Sequence, residues 1–431
     1  MRVALLSLGC KVNQSELAVL SSACRRVDPA GIVGIDEEPE ICVINTCAVT
    51  ARSEYESRQL IRRAAETGAR VIVTGCYAEL NPQAVKGIKG VSQVVSNREK
   101  DSIIGMITGK SSSCDLDFDG VQASRTGRSR YFLKIQDGCD YACSYCIVWK
   151  ARGRSRSVSP DEVIARVRGA VESGYREVVL TGVHLGLYGK DLGGHGWPRL
   201  SGIVERILDE TPVPRVRLSS IEINEVDDRL LDLMKDDRLA RHLHIPLQSG
   251  DDGILKLMKR RYDSSDYIRK VEEVVKDLDG LGLGTDVIVG FPGEGEDEFQ
   301  NTVSVIKRIP FTYVHVFVYS ARPGTEAAGF GRQVHGLVRR RRSAIIREIA
   351  AEKKAAFIEG MRGKVVRVLV EDPDGTGDGG TRTEFRGVAG NYMKVLVPHE
   401  YTLSGGIRPG DLVNMEVVGQ IETMAVGKPV I

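Results

Sequence analysis

The chain has 431 residues and a formal net charge of +2, and 42% of its residues are hydrophobic and 27% charged. This length exceeds what one hydrophobic core organises, and the composition argues against global disorder, so two or three globular domains are expected. The sequence has no run of about 18 apolar residues and no secretory signal at its start, which predicts a cytoplasmic protein without a membrane anchor. The nine cysteines then indicate metal or redox chemistry and not a disulfide framework.

The first 112 residues predict an open parallel α/β sheet. Short β-branched runs alternate with helix-like segments, an alternation typical of βαβ units. The runs are RVALLSL, EICVINT, RVIVTG and QVV. Residues 113–128 lose the apolar periodicity and are predicted to be a linker.

Residues 129–358 contain six further apolar strands, each separated from the next by enough chain for a helix, and they predict a (β/α)6 partial TIM barrel. These strands are YFLKIQ, REVVLTG, RVRLSS, HLHIPL, LGTDVIVG and YVHVFVYS. A helix is expected over RRRRSAIIREIAAEKKAAFIEG. Short strands broken by Gly, Pro and Asp then fill residues 359–431, which predicts a small all-β barrel.

Three cysteines lie close together directly after the first predicted barrel strand. Cys139, Cys143 and Cys146 are spaced C-x3-C-x2-C, and thiolates favour iron–sulfur clusters, zinc or copper. Three ligands leave one iron of a cubane cluster without a protein ligand, so that iron can bind another molecule. Half of a zinc site and incidental cysteines are the simpler alternatives. We call these three residues the barrel triplet.

Three more cysteines occupy equivalent positions in the first predicted sheet. Cys10, Cys47 and Cys76 each follow a predicted strand, and the carboxyl ends of parallel strands share one crevice. This N-terminal triplet is predicted to hold a second cluster, the alternative being three small buried side chains. The remaining cysteines lack this placement and are expected to be structural: Cys24, Cys42 and Cys114.

The motif CDYACSYC resembles the signature of the radical S-adenosylmethionine (SAM) enzymes, and a resemblance to one of their families covers nearly the whole chain. SLGCKVNQSE, NTCAVT and TGCYAEL resemble the amino-terminal domain of the methylthiotransferases, and the tail resembles their TRAM module. TGVHLGLYG and GCKVNQSE are most similar to the threonylcarbamoyladenosine tRNA methylthiotransferases. Further matches are SSIE, HIPLQSG, DVIVGFPGE and VFVYSARPGT. The chain departs from the family pattern at Trp149, Lys150 and Ile223.

The resemblance implies a tRNA methylthiotransferase that converts N6-threonylcarbamoyladenosine at position 37 to its 2-methylthio derivative. A ring carbon that bears hydrogen is not acidic and has no leaving group, so this reaction requires a radical route. The barrel triplet would hold a 4Fe-4S cluster that reduces SAM, and the N-terminal triplet a second 4Fe-4S cluster with sulfide or polysulfide. SAM would be both radical source and methyl donor. All six cysteines are therefore expected to be metal ligands of the catalytic centre.

The resemblance also implies SAM contacts at the ends of the barrel strands, where such barrels build their active sites. The candidates are Tyr145, Gly182, Glu222, Gln248 and Ile288. In simpler roles, Glu222 pairs with an arginine such as Arg217, Gln248 caps a helix, and Ile288 belongs to the core.

Basic residues around the barrel motif predict the contact with tRNA. Residues 125–156 carry eight Lys or Arg against two Asp, an excess that suits phosphates. The predicted contacts with the anticodon stem-loop are Arg152, Arg154, Arg156 and Lys394. The alternative for the arginines is that they brace the cluster loop through buried carboxylates. A low-potential electron donor such as flavodoxin or ferredoxin is expected, and the protein is expected to be a monomer.

Two other functions stay open. The same chemistry could act on isopentenyladenosine in tRNA or on an aspartate of a ribosomal protein. A non-catalytic iron–sulfur protein that binds RNA or carries clusters belongs to another class, and the SAM motifs and the barrel disfavour it.

Overall fold

The computed structural model describes residues 1–28, 30–109, 129–193, 199–371, 384–402 and 406–430. The linker predicted for residues 113–128, and Cys114 within it, lie outside the described residues. Among the helices of the described ranges, none is both long and apolar enough to cross a membrane. The predicted domain boundaries stay predictions.

The first part of the chain forms a four-stranded parallel sheet in the order β1-β2-β3-β4. Its strands are β1 (Val3–Ser7), β2 (Ile41–Thr46), β3 (Arg70–Gly75) and β4 (Val91–Val94). Its helices are α1 (Lys11–Val27), α2 (Ala51–Glu66), α3 (Cys76–Leu80), α4 (Pro82–Lys86) and α5 (Ser102–Thr108). Helices cover both faces of a parallel sheet, so its strands are apolar along their whole length. Strand β2 shows this, because all six of its residues are buried. All strands point one way, so the segments that follow β1, β2 and β3 start at one edge.

The middle of the chain contains the six predicted parallel barrel strands and a short antiparallel pair. The strands are β5 (Arg130–Lys134), β6 (Gln136–Asp137), β7 (Arg156–Ser157), β8 (Glu177–Thr181), β9 (Val216–Leu218), β10 (His242–His244), β11 (Gly282–Val289) and β12 (Tyr313–Val318). The barrel strands form two sheets, β5-β8-β9 and β10-β11-β12, while β6 pairs with β7. The two sheets meet where the amide of Ile221 donates to the carbonyl of His244 at 3.0 Å.

Helices cover the outside of this partial barrel. They are α6 (Val148–Arg152), α7 (Pro160–Glu172), α8 (Leu200–Glu210), α9 (Asp228–Leu233), α10 (Asp252–Leu257), α11 (Ser264–Asp277), α12 (Glu296–Arg308) and α13 (Gly336–Gly360). Short 3-10 turns occur at Leu185–Leu187, Ile223–Glu225 and Glu326–Gly329. The main hydrophobic core lies between strands and helices, with Val163, Ile203 and Phe299 fully buried. Helix α13 confirms the predicted basic helix.

The end of the chain is the predicted small β-barrel, closed in the order β13-β14-β15-β17-β16. Its elements are β13 (Val365–Glu371), β14 (Glu384–Ala389), β15 (Lys394–Pro398), α14 (His399–Thr402), β16 (Leu412–Ile421) and β17 (Met424–Pro429). Its own core includes Val368, Val395 and Met415, each fully buried.

Both outer parts of the chain dock on the central barrel. Helix α1 packs beside β5, where the amide of Lys134 donates to Ser15 Oγ at 3.1 Å. At the amino-terminal end of the strands, Arg215 and Arg217 donate to backbone carbonyls of the small β-barrel. Both guanidinium groups pair with the buried carboxylate of Glu177. The contact between α1 and β5 therefore places the first sheet beside the β5 edge of the partial barrel.

Candidate active site

The N-terminal triplet lies at the carboxyl edge of the first sheet. Cys10 is the N-cap of α1, and Cys76 is the first residue of α3. Gly9 has a φ of +103°, and a Cβ there would lie 2.7 Å from Cys47 Sγ, so glycine permits the close approach. Cys10 is exposed whereas Cys47 and Cys76 are buried, and this burial raises the pKa of both buried thiols. Solvent therefore reaches the N-terminal triplet from the side of Cys10.

The barrel triplet lies in the loop between β6 and α6. The backbone amides of Tyr141 and Val148 point at the sulfurs of Cys139 and Cys146, at 3.3 Å and 3.4 Å. Hydrogen bonds of this kind stabilise a negatively charged sulfur. Burial raises the pKa of Cys146 to about 12, so a bound metal is needed to keep this sulfur as thiolate at neutral pH.

Neither triplet, as described, is drawn together around a single metal ion. Within the described ranges, neither triplet has all three sulfur atoms within 4.8 Å of one another. A tetrahedral zinc ion with Zn–S bonds of about 2.3 Å needs sulfurs roughly 3.8 Å apart. In a 4Fe-4S cluster each thiolate binds a different iron, which spreads the ligands further. The geometry therefore disfavours zinc.

Three of the predicted SAM contacts lie together at the ends of β10 and β11. The amide of Ile288 donates to the carbonyl of Gln248 at 2.9 Å. Gln248 has a φ of +63°, a left-handed conformation that is uncommon for a residue other than glycine. Ile288 and Tyr145 pack against the same apolar group around Phe291, with the Tyr145 and Phe291 rings edge to face at 6.4 Å. Gln248 thus does not cap a helix, because Asp251 caps α10.

The other two predicted SAM contacts lie on the barrel-triplet side. A Cβ on Gly182 would lie 2.8 Å from Gln136 Oε1, so a larger residue here would displace the Gln136 side chain. Glu222 pairs with Arg260 and not with Arg217. The Arg260 guanidinium is also 3.7 Å from the sulfur of Cys143, which links Glu222 to the triplet. The SAM role of all five candidates stays a prediction.

His184 is a site residue that the sequence reasoning missed. Its Nδ1 lies 3.3 Å from Cys139 Sγ, and its Nε2 lies 2.6 Å from Glu225 Oε1. Burial alone would lower the pKa of His184, but the hydrogen bonds to Cys139 and Glu225 raise it to about 9. The available signal was the position of this histidine in TGVHLG, directly after a barrel strand.

Comparisons with known proteins agree with this geometry. Residues 133–306 match the Radical SAM superfamily, and residues 2–96 match the Uncharacterized protein family UPF0004. The chain is 35% identical to the threonylcarbamoyladenosine tRNA methylthiotransferase MtaB of Aquifex aeolicus (strain VF5), over 86% of this chain and 93% of that protein. The chain belongs to the radical SAM methylthiotransferase family.

Other relatives and solved structures support the same family and fold. The MtaB protein of Bacillus subtilis (strain 168) is 35% identical over 91% of this chain and 90% of its own length. A probable threonylcarbamoyladenosine tRNA methylthiotransferase of Pyrococcus horikoshii is 34% identical over 92% of this chain and 93% of its own length. The radical SAM methyltransferase TsrM from Kitasatospora setae shares the fold, with a TM-score of 0.55 at 15% identity over 76% of this chain and 77% of that one. The family confirms the predicted enzyme class, one 4Fe-4S cluster and SAM.

In this methylthiotransferase, Arg152 is not on the surface, and its predicted contact with RNA is wrong. Its side chain is 1% exposed, and Nη1 lies 2.6 Å from Glu16 Oε1 and 3.1 Å from Asp137 Oδ1. Its Nε lies 3.4 Å from Cys76 Sγ. Arg152 therefore braces the contact between the first sheet and the barrel loop, as the alternative role proposed.

Glu16 is the centre of this contact. Its carboxylate accepts from Lys100, Lys134 and Arg152, which lie on three different segments. Burial alone would raise the pKa of Glu16, but the three cations hold it well below its usual value. The residues NQSE of the motif GCKVNQSE contain this carboxylate, but nothing in the sequence indicated its partners.

The other three predicted RNA contacts are on the surface. The side chains of Arg154 and Arg156 are 88% and 43% exposed. They border a groove of about 720 Å³ between α1 and the barrel, which Arg98 also lines. Lys394 is exposed on β15 of the small β-barrel. RNA binding by these three residues stays a prediction.

Proposed function

We propose that the protein is a tRNA methylthiotransferase that converts N6-threonylcarbamoyladenosine at position 37 to its 2-methylthio derivative. One observation carries the proposal: the short helix that follows Cys146 packs against Cys76 of the N-terminal triplet. Arg152 ends the helix that follows Cys146, and its guanidinium contacts the sulfur of Cys76. Two clusters held this way would face one substrate base. The names of the relatives support tRNA and this modified adenosine.

The residues of the chain would bind, orient and shield. When bound, the two clusters and SAM would supply the electron, the sulfur and the methyl group, which side chains cannot provide. The barrel triplet and the N-terminal triplet would each leave one iron open, the first for SAM and the second for sulfide or polysulfide. Tyr145 and Ile288 would give SAM an apolar wall, and the buried Cys47 and Cys76 would keep water from the sulfur side.

Binding of tRNA would use the rim of the barrel mouth. Arg154 and Arg156 carry exposed charges beside the cluster loop, and Lys394 adds one on the small β-barrel. Phosphate contacts position an RNA without reading its sequence, and they suit a substrate recognised by its shape and one modified base. Flavodoxin or ferredoxin would deliver the electron to a monomeric, cytoplasmic enzyme.

Nucleoside mass spectrometry of tRNA from cells with and without the gene tests this function. We expect 2-methylthio-N6-threonylcarbamoyladenosine to disappear and its unthiolated precursor to accumulate when the gene is deleted. Loss of the methylthio derivative of isopentenyladenosine would instead favour the other tRNA substrate. An unchanged tRNA with loss of the methylthio group on a ribosomal protein aspartate would favour the protein substrate, and no change in either would favour the non-catalytic alternative.

A further inference from the structure

A group of cationic and aromatic side chains joins the three parts of the chain at the amino-terminal end of the barrel strands. Lys11, next to Cys10, places its Nζ 5.7 Å from the ring centroid of Tyr392, a residue of the small β-barrel. The Arg217 guanidinium lies 5.3 Å from the same centroid, and His242 stacks on the ring at 4.5 Å. Cys10 is exposed, and Lys11 and Tyr392 are only partly buried, so the group borders accessible space.

Lys11 is the cation of this group that lacks an anionic partner. Arg217 is neutralised by Glu177, and Arg130 is neutralised by Glu371. Among the described residues, no carboxylate forms an ion pair with Lys11; its ammonium lies over the Tyr392 ring, and the Glu177 carboxylate acts on it only from beyond ion-pair distance. An ammonium that is partly withdrawn from water and has no ion-pair partner favours a bound anion.

A second polar group on β10, β11 and β12 lies beside the first. His244 Nε2 is 2.9 Å and His315 Nδ1 is 3.2 Å from Asp286 Oδ1. The Tyr313 hydroxyl lies 3.0 Å from His244 Nδ1, and its ring lies 5.5 Å from that of Tyr392. The His315 side chain is 55% exposed. The rings of Tyr392 and Tyr313 therefore connect Lys11 with an exposed histidine, His315.

We propose that Lys11, with this histidine group beside it, forms the pocket for the threonylcarbamoyl substituent and that the Lys11 ammonium binds its carboxylate. The inference rests on the proposed function. Carbon 2 and carbon 6 of adenine flank the same ring nitrogen, so a base whose carbon 2 faces the N-terminal triplet projects its N6 substituent from the adjacent position. Lys11 follows a ligand of that triplet directly in sequence. The substituent has one carboxylate for the ammonium, and its hydroxyl and urea groups suit the exposed His315.

This pocket would also discriminate against an isopentenyl group. That substituent has no polar atom, so it would leave the Lys11 ammonium without an anion. A site built for polar groups rejects an analogue that lacks them far more strongly than an apolar pocket rejects an extra methylene.

The test compares two anticodon stem-loops that differ only in the carboxylate. One carries threonylcarbamoyladenosine and the other its methyl ester, and each is assayed with the wild type, Lys11→Met and Lys11→Arg, all with both clusters reconstituted. We expect the wild type to favour the free carboxylate by about 10- to 100-fold in kcat/KM. Lys11→Met should lose this preference, because its kcat/KM on the free carboxylate should fall to that on the ester, and Lys11→Arg should keep most of the preference. Lys235→Met, which removes an exposed lysine that pairs with the exposed Asp232, is the matched control.

Iron content and 5′-deoxyadenosine formation are measured for every variant, because Lys11 adjoins Cys10. Equal use of the two stem-loops by the wild type overturns the inference whether or not Lys11→Met keeps its clusters. An equal loss on both stem-loops in Lys11→Met also overturns it, since Lys11 then binds an RNA phosphate. The wild type could instead convert an isopentenyladenosine stem-loop and neither the threonylcarbamoyladenosine stem-loop nor its ester. That result would refute the proposed function, and the inference with it.

Discussion

Replacing Arg152 with methionine should weaken the contact between the first sheet and the barrel and leave tRNA binding intact. The change removes one partner of a buried ion pair, which costs about 3–5 kcal/mol because the remaining charge stays buried. The structure favours the lower end of this range, because Glu16 keeps Lys100 and Lys134 as partners. At about 2–4 °C per kcal/mol for a domain of this size, a loss of about 3 kcal/mol lowers the melting temperature by about 6–12 °C.

Arg154→Met is the matched control, since the same type of side chain is removed two residues further on. Arg154 is 88% exposed and lies 3.9 Å from Asp140, so its ion pair contributes less than about 1 kcal/mol. If Arg154 contacts one phosphate in the wild type, Arg154→Met should bind tRNA with a weaker salt dependence. The slope of log affinity against log salt concentration should become less steep by about 0.7–0.9. Arg152→Met should leave this slope unchanged.

The assay is thermal unfolding of both reconstituted variants, with tRNA binding over a salt series and iron content on the same samples. Arg152→Met should also lose iron from the N-terminal triplet, because the guanidinium contacts Cys76. An Arg152→Met protein that melts with the wild type and binds tRNA with a reduced slope would refute the buried ion-pair account. It would restore Arg152 as a phosphate contact.

Three other measurements test the clusters and the seam with the small β-barrel. Anaerobic reconstitution should load about eight irons and eight sulfides, and alanines in place of the barrel triplet should leave about half; stoichiometric zinc without iron contradicts this. Alanines in place of the N-terminal triplet should preserve reductive formation of 5′-deoxyadenosine and abolish methylthiolated product, so a normal product yield would disprove the second cluster. Burial alone would raise the pKa of Glu177, but Arg215 and Arg217 lower it from 4.5 to about 2. Its contribution to stability is therefore complete above about pH 4.5 and is lost as the pH falls toward 2. Glu177→Gln should be less stable at neutral pH and lose less stability on acidification, and an acid unfolding curve identical to that of the wild type would contradict this.

The sequence was sufficient for the architecture because burial on both faces leaves a strong local pattern. Strands such as β2 and β8 are apolar throughout since a parallel sheet is covered on both sides. The same rule placed the N-terminal triplet, because the residues that follow parallel strands meet at one edge even when they are far apart in sequence. Neither inference needed a contact between specific side chains.

The role of Arg152 could not be predicted in the same way. In ARGRSR the three arginines alternate and look equivalent, yet the first is buried and the second is almost fully exposed. Helix α6 ends at Arg152, and this turn directs its side chain inward toward Glu16, which lies 136 residues away in sequence. An ion pair over such a distance has no periodicity that a sequence could reveal, and the contact between Lys11 and Tyr392 could not be predicted for the same reason.

The charged contact around Glu16 also suits the chemistry better than an apolar contact would. Dispersion and the hydrophobic effect are nondirectional, so an apolar seam would hold the two parts together without fixing their rotation. The Arg152 guanidinium, in contrast, is a planar group with a fixed set of donors, and it engages Glu16, Asn13 and Asp137 at the same time. Its Nε is left to point at Cys76. Arg152 therefore contributes both to the orientation of the first sheet and to the position of Cys76, as the proposed reaction between two cluster-bound partners would require.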